Sequence, residues 1–410
     1  MATSAHAAIT VFDTTLRDGE QAPGFSMSPT DKVRLASQLE RLGVDVIEAG
    51  FPIASGTDFE GVAAVARAVR SPIIAALARA VPDDITAAWE ALRGAARPRI
   101  HVFLATSDLH LSAKLRISRD ECLERAAAGV RQARQYCDDV EFSAEDATRS
   151  DLAFLCDVAA AVAAEGATTI NLPDTVGYAL PADITRMFTA VAARLGGAVT
   201  LSAHNHNDLG LAVANSLAAI AAGARQVECT INGIGERAGN AALEEIVMAL
   251  DVRSDAFGCR SGVRTSELFP TSRALSAVVG VPVQPNKAIV GDNAFAHEAG
   301  IHQDGMVKNP LTYEIMRPES VGQPATRLVL GRHSGLRGLD ARCRALGFRL
   351  RVDELRALYT KMIDATDFAK SVDDADLAGL IRELEAPPFD AVGAHMRDSH
   401  DDAATRHTRW

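Results

Sequence analysis

The chain has 410 residues, with 42 Lys+Arg against 53 Asp+Glu and a formal net charge of −11. A composition of 48% hydrophobic and 23% charged residues excludes wholesale disorder, and the acidic balance argues against non-specific binding of nucleic acid or an anionic membrane. The six cysteines, Cys122, Cys137, Cys156, Cys229, Cys259 and Cys343, are scattered without C-x-x-C spacing, and no basic segment followed by an apolar one precedes Ala8, so neither a zinc or dithiol site nor a signal peptide is expected and the protein reads as cytoplasmic.

In chain order, short apolar runs at 9–12, 44–49, 73–77, 100–105, 140–142, 168–172, 199–203 and 226–231 alternate with segments of helical period. Several runs are almost continuously apolar, as strands of a parallel sheet covered on both faces must be. Ser28-Pro29 opens a helix that Gly43 closes, Ser118 with Glu121 forms a capping box, Pro181 opens another helix, and Gly223 closes the segment beginning near Leu209. Eight strand–helix units in roughly 250 residues is the arithmetic of a (β/α)8 TIM barrel. A doubly wound sheet is the alternative, but no G-x-G-x-x-G follows the first strand. Beyond about Ser254 six prolines punctuate short segments, and helical period returns at 352–365 and 373–384. The expected organisation is therefore a catalytic barrel over 1–270, a linker and subdomain that reaches a barrel mouth over 271–340, a helical subdomain over 341–390 and a disordered tail over 391–410.

In such a barrel the chemistry collects at the C-terminal ends of the strands. Those places carry Arg17, Asp18, Glu48, His101, Glu145, His204, His206 and the run from Asn232 to Asn240. Residues i and i+2 on a strand share a face, so His204 and His206 converge. With Asp18 and Asn240 at the same rim they make a mixed N/O site with open positions, suited to a catalytic divalent cation. The competing reading is a pair of histidines that only hydrogen-bond loop backbone. Arg17 likewise reads either as a group facing substrate or as the ion-pair partner of Glu48 or Glu145.

The segments FDTTLRDGEQAPG (12–24), TINLPDTVGY (169–178), HNHNDLGLAVANS (204–216), NGIGERAGNAALEE (232–245) and HEAGIHQDG (297–305) resemble, in order, those of the 2-isopropylmalate synthase family, one of the metal-dependent barrel groups that include homocitrate and citramalate synthases. The resemblance runs from about Ile9 to Gly335. It implies a Claisen-type condensation in which the methyl carbon of acetyl-CoA, the co-substrate, attacks the ketone of a 2-oxo acid, after which the thioester is hydrolysed. It implies Asp18, His204, His206 and Asn240 as ligands of Mg2+ or Mn2+, with Zn2+ as a further option, and Arg17 as the group that stabilises the developing alkoxide. The base it implies is His302, with Glu145 and Tyr313 as helpers; His297 and His333 are neighbouring competitors. It implies Leu77, His101, Ser143, Asn171, Pro173 and Thr175 as the substrate pocket. Pyruvate-using relatives carry a bulky aromatic where Ser143 stands, and no extra basic residue occupies these positions, so 2-oxoisovalerate is expected and a second substrate carboxylate is not. Gly233, Gly235 and Gly239 are expected either to seat part of acetyl-CoA or simply to shape a tight turn. The resemblance further implies a homodimer with subdomain exchange, and a form without the C-terminal leucine-binding regulatory domain. The alternatives are a synthase for another 2-oxo acid, a 3-hydroxyacyl-CoA lyase on the same scaffold, or a non-catalytic sensor.

Overall fold

The computed structural model describes residues 7–366 and 371–385. The expected tail, 391–410, lies outside the described residues. Eight strands form the barrel: β1 (Ala7–Asp13), β2 (Val46–Glu48), β3 (Ile73–Arg79), β4 (Pro98–Ala105), β5 (Val140–Glu145), β6 (Thr169–Asp174), β7 (Thr200–Asn205) and β8 (Gln226–Cys229). Neighbours pair in parallel in sequence order, and β1 pairs with both β2 and β8, which closes the sheet. A short strand β9 (Cys259–Ser261), not evident in the sequence pattern, adds to β1 outside the closed ring. Closure removes the open edges of the ring, β9 covers the Ala7–Ile9 end of β1 that extends beyond it, and the parallel order requires long crossovers, here helical.

The helices between the strands are α1 (Pro29–Leu42), α2 (Gly56–Ala68), α3 (Pro82–Leu92), α4 (Arg119–Ala133), α5 (Leu152–Ala164), α6 (Pro181–Leu195), α7 (Ala212–Ala221) and α8 (Leu243–Val252). Local chemistry sets their ends as expected. Ser28 and Asp31 form a reciprocal capping box with Pro29 in the first turn, and Gly43 ends α1 at φ 85°, a left-handed conformation that suits glycine. Ser118 and Glu121 form a second capping box. The apolar layer lies between sheet and helices, where Val11, Ile47, Ile74, Ile100, Phe142, Ile170 and Val227 meet the inner helix faces.

Inside the ring the filling is mostly polar. Phe12, Val46 and Ala75 form a small apolar cluster. Beside it, Arg99 donates to Glu141 at 2.9 Å and to Gln226 at 2.8 Å, while Gln226 donates to Glu141 at 2.8 Å and to Ser202 at 3.0 Å. A polar filling survives in a barrel when its members pair with one another, and here Arg99 Nε is the member left without a hydrogen-bond partner.

After the barrel come a one-turn α9 (Ser254–Phe257) and α10 (Leu268–Val279). The chain then divides into two compact units: one holds the barrel to Phe295 together with Glu314–Thr326, and the other holds Ala296–Tyr313 and the chain from Arg327 onward. In the second unit a short pair of parallel strands, β10 (Ala296–His297) and β11 (Arg327–Leu328), accompanies α11 (Gly300–Lys308), α12 (Leu336–Ala345), α13 (Val352–Ala365) and α14 (Asp374–Glu385). Leu339, Cys343, Leu358, Met362, Leu377 and Ile381 are its core. The sequence pattern marks α13 and α14 but not α10, α11 or α12, because proline and glycine interrupt those stretches. Among the described residues no helix is long and apolar enough to cross a membrane.

Candidate active site

The loop after β1 is tied down by its own motif. Asp13 accepts from Thr15 through backbone N–H and hydroxyl, at 3.0 and 2.9 Å, and the Thr15 hydroxyl accepts from the Ile231 N–H at 2.9 Å. Thr14 donates its hydroxyl to Glu48 at 2.7 Å. The F-D-T-T run therefore bolts β1 to the end of β2 and the loop after β8, and Arg17 and Asp18 project from the fixed loop that follows.

Arg17 donates through Nε to Glu48 at 2.6 Å and through Nη1 to Asp18 at 3.0 Å. Of the two ion-pair partners considered for it, the structure selects Glu48. Glu145 instead accepts from Lys114 at 2.7 Å, with His110 Nδ1 3.6 Å away. Glu48 is buried at the end of β2 and also meets His101 Nδ1 at 2.8 Å, while His101 Nε2 meets the Ser143 hydroxyl at 2.7 Å and Asn171 donates to that hydroxyl at 2.8 Å. Burial opposes ionisation of Glu48, but Arg17 and His101 outweigh it and bring its pKa to about 2. Burial also opposes the charge on His101, yet Glu48 and Glu141 raise its pKa to about 9. Arg17–Glu48–His101 is thus a charged, buried chain that ends on the hydroxyl of Ser143.

The rings of His204 and His206 lie edge to face with centroids 4.9 Å apart. Nε2 of each is 3.5 Å from the same Asp18 oxygen, Oδ2. His204 Nδ1 meets Glu228 Oε2 at 2.8 Å across the β7–β8 register, where His204 pairs with Glu228. Burial, opposed by the Asp18 carboxylate, lowers the His204 pKa to about 4, which keeps the ring neutral and able to ligate. Burial also works against an ionised Asp18, but Arg17 and the two imidazoles hold its carboxyl well below the usual range. Asn240 arrives through a β-bridge between its backbone and that of His206. A Cβ on Gly235 would lie 2.0 Å from the Asn240 amide nitrogen and 3.1 Å from Asp18 Oδ1, so the glycine is what lets these two side chains share one place.

Both ring nitrogens of His206 and the amide oxygen of Asn240 are buried without a hydrogen-bond partner. Orphaned buried polar atoms are costly, and an acceptor among them is relieved when a cation meets it. Asp18, His204 and His206 each direct a ligand atom into one small volume. The donor set of one carboxylate and two imidazoles, with an amide oxygen beside them, fits a divalent cation.

One cavity of about 310 Å³ opens beside this cluster. It is lined by Arg17, Asp18, Glu145, His204 and His206, and by all six residues expected for the pocket: Leu77, His101, Ser143, Asn171, Pro173 and Thr175. Sequence reasoning missed Phe51 and Phe103, an edge-to-face pair with centroids 6.3 Å apart that adds to the apolar wall, and Lys114 and Arg237 at the rim. Phe103 follows His101 by two positions on β4, so strand alternation was a usable signal. Glu228 was also missed, although a glutamate inside an apolar strand run is itself conspicuous.

Gly233, Gly235 and Gly239 do not line this cavity; they shape the loop after β8, where a Cβ on Gly239 would lie 2.0 Å from the Gly233 carbonyl oxygen. His302 and Tyr313 belong to the second unit and lie together there, ring centroids 4.3 Å apart, both exposed, with His297 6.3 Å from each. A Cβ on Gly305 would lie 2.5 Å from the Tyr313 ring, so α11 leaves room for it.

Fold and site together define a (β/α)8 barrel with a carboxylate–histidine cluster and a buried arginine at its C-terminal mouth. The HMGL-like family profile matches residues 8–275, and a profile described as homocitrate synthase post-HMGL domain-like matches 289–370. Curated 2-isopropylmalate synthases from Syntrophus aciditrophicus and Carboxydothermus hydrogenoformans are each 54% identical to this chain over 377 residues, which is 92% of it and 73% and 74% of their own lengths. Among solved structures, a hydroxymethylglutaryl-CoA lyase from Pseudomonas aeruginosa superposes with a TM-score of 0.59 at 24% identity, over 68% of this chain and 95% of that one; it shares the fold. The chain belongs to the 2-isopropylmalate synthase family.

Proposed function

We propose that the barrel site condenses acetyl-CoA with 2-oxoisovalerate and that water then hydrolyses the product thioester, releasing CoA and 2-isopropylmalate, and that Asp18, His204, His206 and Asn240 hold the divalent metal, Mg2+ or Mn2+. The observation that carries this reading is the convergence of Asp18, His204 and His206 beside Arg17 in the cavity lined by His101, Ser143 and Asn171. When bound, the cation supplies Lewis acidity and a binding point for the carboxylate and ketone oxygens of a 2-oxo acid. The residues supply the rest. Arg17, charged at any working pH and aligned by Glu48, faces the oxygen on which negative charge develops as the carbon–carbon bond forms. His101, Ser143 and Asn171 form a connected donor–acceptor row that orients the oxo acid, and Leu77, Phe103 and Pro173 offer an apolar wall to its branched side chain.

The acetyl methyl group must lose a proton before it attacks. His302 takes it, with Tyr313 beside the ring, and Glu145 assists from the barrel side. In line with the family resemblance, we assign the working form as a homodimer in which the unit carrying His302 and Tyr313 serves the partner's barrel. A cytoplasmic location accords with these substrates. The lyase alternative rests on a fold shared with lyases at 24% identity or less, which carries no argument about the reaction. Mass spectrometry of the product formed from acetyl-CoA and a panel of 2-oxo acids tests the assignment: 2-isopropylmalate supports it, and product from pyruvate alone contradicts it.

A further inference from the structure

We propose that Lys32, which lies outside the cavity, is a positioning residue for the condensation; this rests on the function proposed above. Lys32 is on the first turns of α1 and is 2% exposed. Its ammonium donates to the Leu16 carbonyl at 2.9 Å, to the Ala49 carbonyl at 3.2 Å and to the Glu20 carboxylate, and Asp58 on α2 stands 4.0 Å away. Leu16 immediately precedes Arg17, and Ala49 immediately follows Glu48. One nitrogen thus ties the two backbone segments whose side chains form the 2.6 Å Arg17–Glu48 pair. It also holds the loop on which Asp18 is carried.

The surroundings are built for this side chain. A Cβ on Gly61 would lie 3.2 Å from Lys32 Cδ, and one on Gly50 would lie 3.2 Å from Nζ. Two helices and two loops therefore close around a buried cation that needs each of its three donors matched. A lysine buried only for stability would be satisfied by any acceptors; here two of the three are the carbonyls flanking the arginine–glutamate pair. Displacement of reacting groups by as little as 1 Å can cost about 100-fold in rate. Fixing these two segments at one separation is what Lys32 contributes.

The test is Lys32→Met in the full chain, which keeps the volume and removes the donors. The parent is first assayed for CoA release with 2-oxoisovalerate; a parent that condenses no 2-oxo acid overturns the functional reading and leaves the metal titration as the test of Lys32. For the folded variant we expect kcat to fall ~100-fold with the KM for acetyl-CoA little changed, and Mn2+ affinity, read by electron paramagnetic resonance of free Mn2+, to weaken ~10-fold. Parental kcat and Mn2+ affinity, with or without a lower melting temperature, would overturn the proposal. Should Lys32→Met not fold, Lys32→Arg carries the same test, because it keeps the charge but cannot send three diverging bonds from one atom. The same kcat and Mn2+ losses support the proposal, and parental values overturn it.

Discussion

His204 Nδ1 lies 2.8 Å from Glu228 Oε2, with both side chains buried. In the tautomer that donates Nδ1–H to this carboxylate, Nε2 keeps its lone pair toward Asp18 and the metal position. Glu228 thereby fixes both the tautomer and the plane of one ligand. Glu228→Leu is expected to weaken Mn2+ binding by ~10–100-fold, and Glu228→Gln, which keeps an acceptor, by less. Titration calorimetry of the metal-free protein checks this, and equal affinity in all three forms would remove Glu228 from the site.

Arg17 meets Glu48 through Nε and Asp18 through Nη1, a fork that a lysine cannot reproduce. Arg17→Lys should lower kcat by at least ~100-fold while the far-ultraviolet circular dichroism stays parental. A rate near that of the parent would take Arg17 out of charge stabilisation.

The buried His101–Glu48 pair makes stability pH-dependent in a stated direction. The folded pKa of His101, about 9, is above its ordinary 6.5, so the folded state binds the proton more tightly. The stabilisation is complete below pH ~6.5 and is lost as pH rises through ~9. Urea unfolding of the metal-free protein at pH 6.5 and 9 should show this loss, and His101→Asn should lessen it, the remainder coming from Asp13, Glu141 and Glu228, whose pKa values burial raises to about 7. A parent that gains stability over the same range would contradict the charged pair.

Subunit exchange is tested by mixing. Arg17→Ala and His302→Ala homodimers should each be inactive, and activity should return when they are unfolded together and refolded as hybrids. No recovery in demonstrated hybrids would place both residues in one chain's site or remove His302 from the reaction.

How much of this was legible in the sequence follows from what each signal depends on. The strand runs at 73–77 and 100–105 fall inside β3 and β4 because a buried parallel strand must be apolar on both faces. The capping residues of α1 and α4 could be read off because caps are local chemistry. His204, His206 and Asp18 were legible because a barrel presents strand ends to one mouth, whereas the six pocket residues came from the family resemblance and not from the pattern. The partners of Lys32 and Glu228 were not legible, since they lie 16 and 24 residues away and only the folded chain brings them together. Lys114 escaped for a different reason: it sits on a π-helical turn, 110–115, whose side-chain spacing follows neither helix nor strand period.

The central claim is that the Asp18–His204–His206 cluster serves a metal-dependent condensation of a 2-oxo acid with acetyl-CoA. CoA release, followed with a thiol reagent in the presence of 2-oxoisovalerate, tests it most directly when run on the parent and on His204→Ala, each with chelator and then with excess Mg2+ or Mn2+. The account predicts release from the parent that stops with chelator and returns with metal, and none from a folded His204→Ala. Release that ignores the chelator, or that persists at the parental rate in His204→Ala, would contradict it.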